Sequence, residues 1–360
     1  MISVTDSFFE FKREVSNPKV KLSFEWLREN CRCNICYNNI TNQRNIRIID
    51  IDPSIQPLNF STCGKEFVVN WSDGHKSVYD LEWITSQTKV ESGPQEVLWS
   101  GDVSREVEHV TANEVKSQHG ISRLVKSLLR FGVGFVTDVE PSVAATEEVI
   151  RHVGPPQHTL FGAMWEFSDQ MDHLDTAYTN LALDPHTDTC YFIEPAGLII
   201  FHCIKRNCSG GQTILVDGFR AARQVEVEHP QHYECLKTVH TEYQYIEKGY
   251  HLSQMSPVIS HWPEGKIKQI RYNLYDRSAR QVQPSSETSQ FYKSLRSLTS
   301  AVVNPADQWR LTLVPGTVVF INNWRVLHGR SAYTGARTIT GAYVTMGNLL
   351  SRARLLRLLL

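Results

Sequence analysis

The pattern of hydrophobic and polar positions alternates between helical and strand-like spacing along most of the chain. Residues 121–131 place Ile121, Leu124, Val125, Leu128 and Leu129 at spacings of three and four. This spacing predicts an amphipathic helix, and the glycine that follows predicts its end. The next four residues, 133–136, form an apolar run that is typical of a buried strand.

Short apolar runs predominate from about residue 160 onward. They predict strands at 198–204, 213–216, 267–273 and 317–321, and helical spacing predicts helices at 219–227 and 288–300. Many strands with interleaved helices favour a double-sheet jelly roll with flanking helices. The alternation is too irregular for a doubly wound parallel sheet. The predicted fold class is therefore α+β, mainly β.

The first ninety residues predict a separate, strand-rich region. Residues 45–51 and 66–69 have strand-like patterns, and 78–85 fit either a strand or a short helix. Residues near 92–94 and the polar stretch that follows are typical of a linker. We therefore predict a small N-terminal domain at 1–95, a linker at 96–112 and a jelly-roll catalytic domain at 113–360.

Composition excludes several classes of protein. Lys and Arg number 37 against 38 Asp and Glu, which gives a net charge of −1. Such a balance disfavours nonspecific binding to nucleic acid. The most apolar internal run, 196–204, is too short for a membrane span, which needs about 20 residues. The first fifteen residues mix acidic and basic side chains and match neither a signal nor a transit peptide.

The sharpest chemical feature is His186-Thr187-Asp188. In an extended strand, residues i and i+2 point to the same face, so both side chains can reach one metal ion. His328 is the candidate third ligand. Two histidines and one carboxylate form the facial triad of non-haem Fe(II) oxygenases, which leaves coordination positions open. An H-x-D pair alone is weak, since such pairs occur by chance and a hydrogen-bonded loop histidine is the default explanation.

Two further residues strengthen this interpretation. Arg337 lies nine residues after His328, where a guanidinium could bind a dicarboxylate through two parallel hydrogen bonds. Thr213 follows the turn Gly210-Gly211-Gln212 and offers a hydroxyl group. An arginine at such a position could also form only a surface ion pair.

These motifs resemble one family. The segments around His186-Thr187-Asp188, 210–219 and 323–330 are similar to the 2-oxoglutarate-dependent dioxygenases of the taurine dioxygenase superfamily, in the branch of carnitine biosynthesis. The resemblance implies that His186, Asp188 and His328 bind Fe(II). It also implies that Thr213 and Arg337 hold the cosubstrate 2-oxoglutarate, and that Arg330 and Trp324 support His328 and the cosubstrate site. O2 would be the second cosubstrate, with succinate and CO2 as products.

Cysteines cluster at one place only. Cys31, Cys33 and Cys36, together with His75, supply three thiolates and one imidazole, which is a closed tetrahedral zinc set. Four protein ligands leave no open position, so we expect a structural zinc. This cluster resembles the N-terminal zinc site of the γ-butyrobetaine dioxygenases. Free buried cysteines are the alternative explanation.

The resemblance also points to a small quaternary-ammonium substrate. Phe161, Trp165, Tyr178 and Tyr343 match an aromatic cage, which suits a cation that cannot donate hydrogen bonds. Each aromatic could instead serve only in core packing.

Asp175 stands where γ-butyrobetaine dioxygenases have an asparagine. A carboxylate would attract an α-ammonium group, and Asn273 could bond the same amino-acid head. We therefore predict 3-hydroxylation of Nε-trimethyllysine. The alternative role of Asp175 is a turn or cap carboxylate.

Two alternatives stay open at the level of sequence: γ-butyrobetaine hydroxylation, and a non-catalytic module that binds a trimethylammonium group. The resemblance further implies a homodimer, L-ascorbate as a reductant of the iron, and a mitochondrial matrix location. The absence of a visible presequence would instead fit the cytoplasm.

Overall fold

A computed structural model describes residues 2–11, 20–87, 91–167, 179–279 and 284–359. The chain divides into two units, Met1–Glu91 and Ser92–Leu360. In the described part of the chain, no helix is both long enough and apolar enough to cross a bilayer.

The first unit consists of short antiparallel strands around an aromatic core. Its described elements are β1 (Ile2–Val4), β2 (Phe8–Phe11), β3 (Val20–Ser23), α1 (Phe24–Glu29), β4 (Tyr37–Asn38), β5 (Gln43–Arg44), β6 (Pro57–Cys63), β7 (Glu66–Trp71), β8 (Lys76–Asp80) and α2 (Leu81–Ser86). The sheets are β1-β2-β3, β4-β5 and β6-β7-β8. Phe9, Phe67 and Trp71 are fully buried and form the centre of this core.

The strand predicted at 66–69 is confirmed as part of β7. The ambiguous segment 78–85 contains both alternatives, because Asp80 ends β8 and its carboxylate accepts a hydrogen bond from the Trp83 N–H to begin α2. The strand predicted at 45–51 is wrong. Residues Ile48–Asp50 form a 3-10 turn, which Asp50 stabilises by accepting hydrogen bonds from the Arg47 backbone and guanidinium.

The second unit is built on two sheets. Its described strands are β9 (His109–Thr111), β10 (Val133–Thr137), β11 (Trp165–Phe167), β12 (Leu183–His186), β13 (Leu198–Gly210), β14 (Thr213–Asp217), β15 (His240–Glu247), β16 (Tyr250–Pro257), β17 (Ile259–His261), β18 (Ile267–Ile270), β19 (Trp309–Leu311), β20 (Val318–Asn322), β21 (Val326–Arg330) and β22 (Tyr333–Val344). The larger sheet has the order β11-β22-β13-β20-β10-β9, and the smaller has the order β12-β21-β14-β19.

The two sheets share one apolar core. Val319 and Ile321 of β20 meet Leu215 of β14 and Val326 of β21 in a single buried cluster. Trp99 also belongs to this cluster, so the segment predicted as a linker at 96–112 is packed into the second unit. Apart from the parallel pair β9–β10, both sheets are antiparallel, and a core between two such sheets is the arrangement of a jelly roll.

Helices cover the outer faces of both sheets. They are α3 (Gln118–Phe131), α4 (Val143–Arg151), α5 (Gly218–Glu228), α6 (Pro230–Thr238), α7 (Ser285–Val303) and α8 (Met346–Leu355). Residues from α3, α4 and α8 pack on the larger sheet, and residues from α5, α6 and α7 pack against β14 and β21. The helices predicted at 121–131, 219–227 and 288–300 are confirmed within α3, α5 and α7.

The predicted strands at 133–136, 198–204, 213–216 and 317–321 are confirmed by β10, β13, β14 and β20. The strand predicted at 267–273 is shorter, because β18 ends at Ile270. Beyond it, the Arg271 guanidinium turns inward and donates to the carbonyls of Phe192 and Ile193. The hairpin β15–β16 was not predicted.

Candidate metal centre and cosubstrate pocket

The register of two strands brings the candidate iron ligands together. His186 ends β12 and lies directly opposite His328 on the antiparallel strand β21. Asp188 follows two residues later, just beyond the end of β12. The ligand atoms of all three side chains lie within 4.8 Å of one another. The structure therefore assembles the triad that the sequence analysis proposed.

The geometry within the triad fits a small divalent cation. The Asp188 Oδ1 atom lies 3.2 Å from His186 Nε2 and 3.4 Å from His328 Nε2. Adjacent ligands of an octahedral ion with bonds of about 2.1 Å are separated by ~3 Å. The Nδ1 atom of His186 is 2.8 Å from the carbonyl oxygen of Asp184, so it carries the proton that it donates there. A neutral His186 then directs a lone pair at a carboxylate oxygen, an arrangement that requires a cation or a second proton.

The charge states suit metal binding. Burial alone would raise the pKa of Asp188, but the two imidazoles hold it well below its usual range. Burial lowers the pKa of His328 and outweighs the attraction of Asp188. Burial also opposes protonation of His186, yet the hydrogen bond to Asp188 raises its pKa. The cluster thus holds an ionised carboxylate and a neutral His328, the forms in which both bind metals.

The loop that carries Asp188 is fixed by residues that the sequence analysis did not single out. Asn323 is fully buried; its Oδ1 atom accepts from the Asp188 N–H at 2.8 Å, and its Nδ2 atom donates to the Asp188 carbonyl at 3.1 Å. Arg271 donates to the carbonyl of Cys190 at 3.1 Å, further along the loop. Asn323 begins the segment 323–330 that resembles the family, but only the fold shows which groups it bonds.

The cosubstrate residues line the same cavity as the triad. Thr213 begins β14 and pairs with Arg330, while Arg337 lies on β22; all three line the cavity with His186 and His328. Gly211 has a φ of +67°, and a Cβ there would lie 3.3 Å from Arg337 Nη1. The glycine therefore lets its carbonyl accept a hydrogen bond from that guanidinium at 3.1 Å.

A second guanidinium increases the positive charge of this cavity. Arg330 and Arg337 lie 5.2 and 4.6 Å from the ring centre of Tyr333. Burial and the Arg337 charge lower the pKa of Arg330 to about 10, so it stays cationic at neutral pH. Arg330 also donates to the carbonyls of Thr179 and Leu181, which precede β12. It therefore supports the strand of His186 rather than His328 alone.

Two residues of the predicted aromatic cage lie side by side, and in the described part of the chain neither is among the residues that line the cavity of the triad. The rings of Trp165 and Tyr343 are 5.9 Å apart, and both residues are buried. Gly341 leaves room for the indole, because a Cβ at this position would collide with it. Phe161 packs against the buried cluster that contains both residues and also lies edge-on to Tyr245 at 5.7 Å.

The other predicted substrate residues have different outcomes. Asn273 is buried, and its amide closes a local turn: Nδ2 donates to Asp276 at 2.7 Å and Oδ1 accepts from the Tyr275 N–H at 3.0 Å. It is not one of the residues that line the cavity of the triad in the described part of the chain. Asp175 and Tyr178 lie outside the described residues.

The cysteine cluster converges on His75 in the first unit. The Nε2 atom of His75 lies 3.3, 3.7 and 3.5 Å from the sulfurs of Cys31, Cys33 and Cys36. Zinc bond lengths and tetrahedral angles predict a separation of about 3.6 Å. The donor set and its spacing therefore fit a four-coordinate zinc ion.

Polar residues surround these sulfurs. Arg28 is buried, donates to Cys36 Sγ at 3.4 Å and pairs with Asp73 at 2.7 Å. The other carboxylate oxygen of Asp73 accepts from the backbone N–H of His75 at 3.0 Å. Arg28 therefore connects a ligand sulfur to the turn that presents the imidazole.

Two family models match the chain. Residues 100–343 match the model described as taurine catabolism dioxygenase TauD, TfdA family, and residues 14–85 match the model described as gamma-butyrobetaine hydroxylase-like, N-terminal. Together they cover most of both units.

Named relatives are similar over nearly the whole chain. The trimethyllysine dioxygenase of Homo sapiens, named as mitochondrial, is 35% identical over 97% of this chain and 86% of its own length. The Rattus norvegicus protein of the same name is 36% identical over 96% and 85%. The Neurospora crassa trimethyllysine dioxygenase is 30% identical over 91% and 79%.

Solved structures share the fold of the second unit at low identity. A putative alpha-ketoglutarate-dependent taurine dioxygenase from Burkholderia xenovorans has a TM-score of 0.53 at 14% identity, covering 71% of this chain and 93% of its own. A taurine dioxygenase from the same organism has a TM-score of 0.52 at 16% identity, covering 69% and 90%. These likenesses show a common fold.

Proposed function

The chain belongs to the taurine dioxygenase family, in the branch of the trimethyllysine dioxygenases, and on that premise we propose that it hydroxylates Nε-trimethyllysine at C3. It is a 2-oxoglutarate-dependent dioxygenase. The reaction would consume O2 and 2-oxoglutarate and release succinate and CO2, as the first step toward carnitine. The observation that supports this choice of substrate is the 35% identity, over 97% of the chain, to a trimethyllysine dioxygenase.

We assign Fe(II) to His186 Nε2, Asp188 Oδ1 and His328 Nε2, whose spacing supports the assignment. The bound metal would supply oxidation of a C–H bond coupled to decarboxylation of 2-oxoglutarate. The hydrogen bond from His186 Nδ1 to the Asp184 carbonyl keeps the lone pair of Nε2 directed at the metal position.

Arg337 and Thr213 would hold 2-oxoglutarate at the far end of the cavity. A guanidinium binds a carboxylate through two parallel hydrogen bonds, and the Thr213 hydroxyl can donate a third. Arg330 adds positive charge beside them. The two carboxylates of 2-oxoglutarate would thus meet cationic groups at both ends, the metal at one and Arg337 at the other.

Trp165 and Tyr343 would provide aromatic faces for the trimethylammonium group. A quaternary ammonium is stabilised by such faces by about 2 kcal/mol or more when it is desolvated. The aromatic rings also exclude water from the carbon to be oxidised. Phe161, Tyr178, Asp175 and Asn273 remain proposed substrate residues. Asp175 would bind the α-ammonium group, which trimethyllysine has and γ-butyrobetaine lacks.

The test is succinate formation from 2-oxoglutarate by the Fe(II)-loaded protein, with trimethyllysine and γ-butyrobetaine in parallel. We expect trimethyllysine to stimulate the formation of succinate. Mass spectrometry should find one equivalent of 3-hydroxylated product for each succinate formed. No stimulation by trimethyllysine, in protein shown to contain iron, would refute the proposal.

γ-Butyrobetaine hydroxylation is the second candidate, since residues 14–85 match the gamma-butyrobetaine hydroxylase-like N-terminal model. The variant Asp175→Asn separates the two. We expect it to lose turnover of trimethyllysine, because an amide cannot neutralise the α-ammonium group. Unchanged turnover would remove Asp175 from the substrate site.

We further propose that Cys31, Cys33, Cys36 and His75 bind one structural zinc ion, as their spacing supports. Elemental analysis of the purified protein should find about one zinc per chain. A protein that folds without zinc would contradict this assignment.

Three expectations from the family complete the proposal. They are a homodimer, stimulation by L-ascorbate as a reductant of the iron, and a location in the mitochondrial matrix. The mitochondrial relatives support the last of these. Native mass spectrometry, turnover with and without ascorbate, and fractionation of cells that express the tagged gene test them in turn. Recovery in the cytosolic fraction would favour the alternative location.

A further inference from the structure

The two oxygens of the Asp188 carboxylate have different partners. Oδ1 faces the imidazoles of His186 and His328 at 3.2 and 3.4 Å. Oδ2 accepts a hydrogen bond of 2.7 Å from the hydroxyl of Tyr343. Tyr343 lies on β22 and is 5% exposed, so water competes little for this bond. One oxygen therefore points to the metal position and the other is bonded to a phenol.

The backbone of Asp188 is fixed independently. The Asn323 side chain bonds both the N–H and the carbonyl of Asp188, and Asn323 is fully buried. With the backbone held, the main remaining freedom of Asp188 is rotation of its carboxylate. The bond to Tyr343 opposes that rotation.

We propose that Tyr343 is a positioning residue that keeps Asp188 a one-oxygen ligand of the iron. This inference rests on the proposed function, because it needs iron at the triad. A six-coordinate ion bound by two histidines and one carboxylate oxygen has three positions left, two for 2-oxoglutarate and one for O2. A carboxylate bound through both oxygens would leave only two. The hydroxyl of Tyr343 thus preserves the position that O2 requires.

The ring of Tyr343 packs against aromatic residues that lead to the cavity of the triad, which Phe201 lines. It lies 5.9 Å from the ring of Trp165, which in turn lies 5.5 Å from Phe201. Tyr343 therefore has two separable parts: a ring that packs on Trp165, which we assign to the substrate, and a hydroxyl bonded to Asp188. Substitution by phenylalanine removes the second part and keeps the first.

The test compares Tyr343→Phe with the wild type in three measurements. The first is kcat and KM for trimethyllysine. The second is binding of nitric oxide, a stand-in for O2, to protein loaded with Fe(II) and 2-oxoglutarate, followed by electron paramagnetic resonance. The third is binding of Mn(II) to metal-free protein by calorimetry. Removal of a residue that orients a metal ligand typically costs 10–100-fold in activity or affinity.

We expect kcat to fall about 10–100-fold, with KM changed by less than about 3-fold because the ring remains. Nitric oxide binding should weaken by a similar factor, while Mn(II), which can use both carboxylate oxygens, should bind within about 3-fold of wild type.

Trp165→Phe should do the reverse, raising KM and leaving nitric oxide binding unchanged. Tyr233→Phe is the matched control, since it deletes a buried phenol that bonds His261 at 2.7 Å in the helical layer.

Unchanged kcat and unchanged nitric oxide binding in Tyr343→Phe would overturn the inference. A raised KM alone would also overturn it, because it would limit Tyr343 to the wall of the pocket. If the wild type binds Mn(II) and nitric oxide but does not oxidise trimethyllysine, the proposed substrate fails. The nitric oxide comparison then still decides the role of Tyr343.

Discussion

The two candidate metal sites differ in how many ligands the protein supplies. The cluster of the second unit offers two imidazoles and a carboxylate, whereas that of the first offers three sulfurs and an imidazole. Three ligands leave room for substrates on an octahedral ion, and four complete a tetrahedral one. The ligand count alone therefore predicts a catalytic role for one site and a structural role for the other.

The sites also differ in how the fold assembles them. Cys31, Cys33 and Cys36 come from one short loop, and His75 follows the turn after β7. His186 and His328 are instead brought together by the pairing of β12 with β21. A loop can adapt its shape to a metal, while a sheet imposes a spacing. Ligands held at a spacing fixed by paired strands suit a site that must keep its geometry while substrates exchange.

The largest effect is expected at the triad, which leaves coordination positions open. Asp188→Asn removes the only anionic ligand of the triad. We expect kcat/KM for trimethyllysine to fall at least about 1,000-fold, which corresponds to ~4 kcal/mol. The melting temperature should stay within a few degrees, since Asn323 still bonds the backbone.

The control is Asp138→Asn, at an exposed position with a φ of 58° that asparagine tolerates. Activity above a tenth of wild type in Asp188→Asn would place the metal elsewhere.

A ligand substitution in the cysteine cluster, whose four ligands complete the coordination of zinc, should affect stability instead of activity. Cys36→Ser removes one of four ligands, and structural zinc contributes about 10–16 kcal/mol in isolated zinc-finger peptides. We expect the zinc content to fall below half and the unfolding transition of the first unit to move to lower temperature in calorimetry. Cys63→Ser is the matched control, because Cys63 is exposed in the same unit. Equal melting of both variants would argue against a structural metal.

The two sites should respond differently to pH. Burial raises the pKa of Cys36 to about 12 and also raises that of Cys31, so both thiols hold protons at neutral pH without metal. Although burial opposes it, the Cys36 and Ile35 N–H groups lower the pKa of Cys33. Zinc must therefore displace at least the protons of Cys31 and Cys36. Its affinity should therefore rise with pH, about tenfold per unit for each proton displaced.

At the triad, burial lowers the pKa of His328, so His186 is the main proton carrier there. Metal affinity should accordingly depend less steeply on pH at the triad. Competition with a chelator of known affinity at pH 6, 7 and 8 measures both slopes. Equal slopes would contradict the assigned protonation states.

The smallest effect concerns the electric charge around the cysteine cluster. Three thiolates and one zinc ion carry a net charge of −1, which the buried Arg28 guanidinium offsets. We expect Arg28→Met to weaken zinc binding about 10–100-fold, while Arg28→Lys retains part of it. The double variant Arg28→Met with Asp73→Asn tests whether the loss comes only from a stranded Asp73 carboxylate. Unchanged affinity in Arg28→Met would show that solvent offsets the charge.

The two sites also differ in how far sequence reasoning could locate them. The spacing of Cys31, Cys33 and Cys36 is local, so it is visible in the sequence before any fold is known. The H-x-D motif is equally local, but His328 became a candidate only through its own motif and a family resemblance. Nothing in the spacing between His186 and His328 indicates that their strands pair.

Local patterns also predicted most of the regular elements of the second unit. Apolar spacing in α3 and the apolar runs of β13 and β20 are properties of a few neighbouring residues, and burial on the expected faces confirms them. The prediction at 45–51 failed because a side-chain interaction, that of Arg47 with Asp50, closes a turn within an otherwise strand-like run. The spacing of hydrophobic residues does not reveal a side-chain pair of this kind.

The sequence by itself determined the donor atoms of this protein: which thiols, imidazoles, carboxylate and guanidinium were present and which faces were apolar. Only the tertiary structure decided their partners. It placed the Tyr343 hydroxyl on Asp188 and assigned Asn273 to a local turn. The physical reason is that hydrophobic patterning is a short-range property of the chain. A hydrogen bond between distant residues depends on strand register, which is settled only when the whole sheet packs.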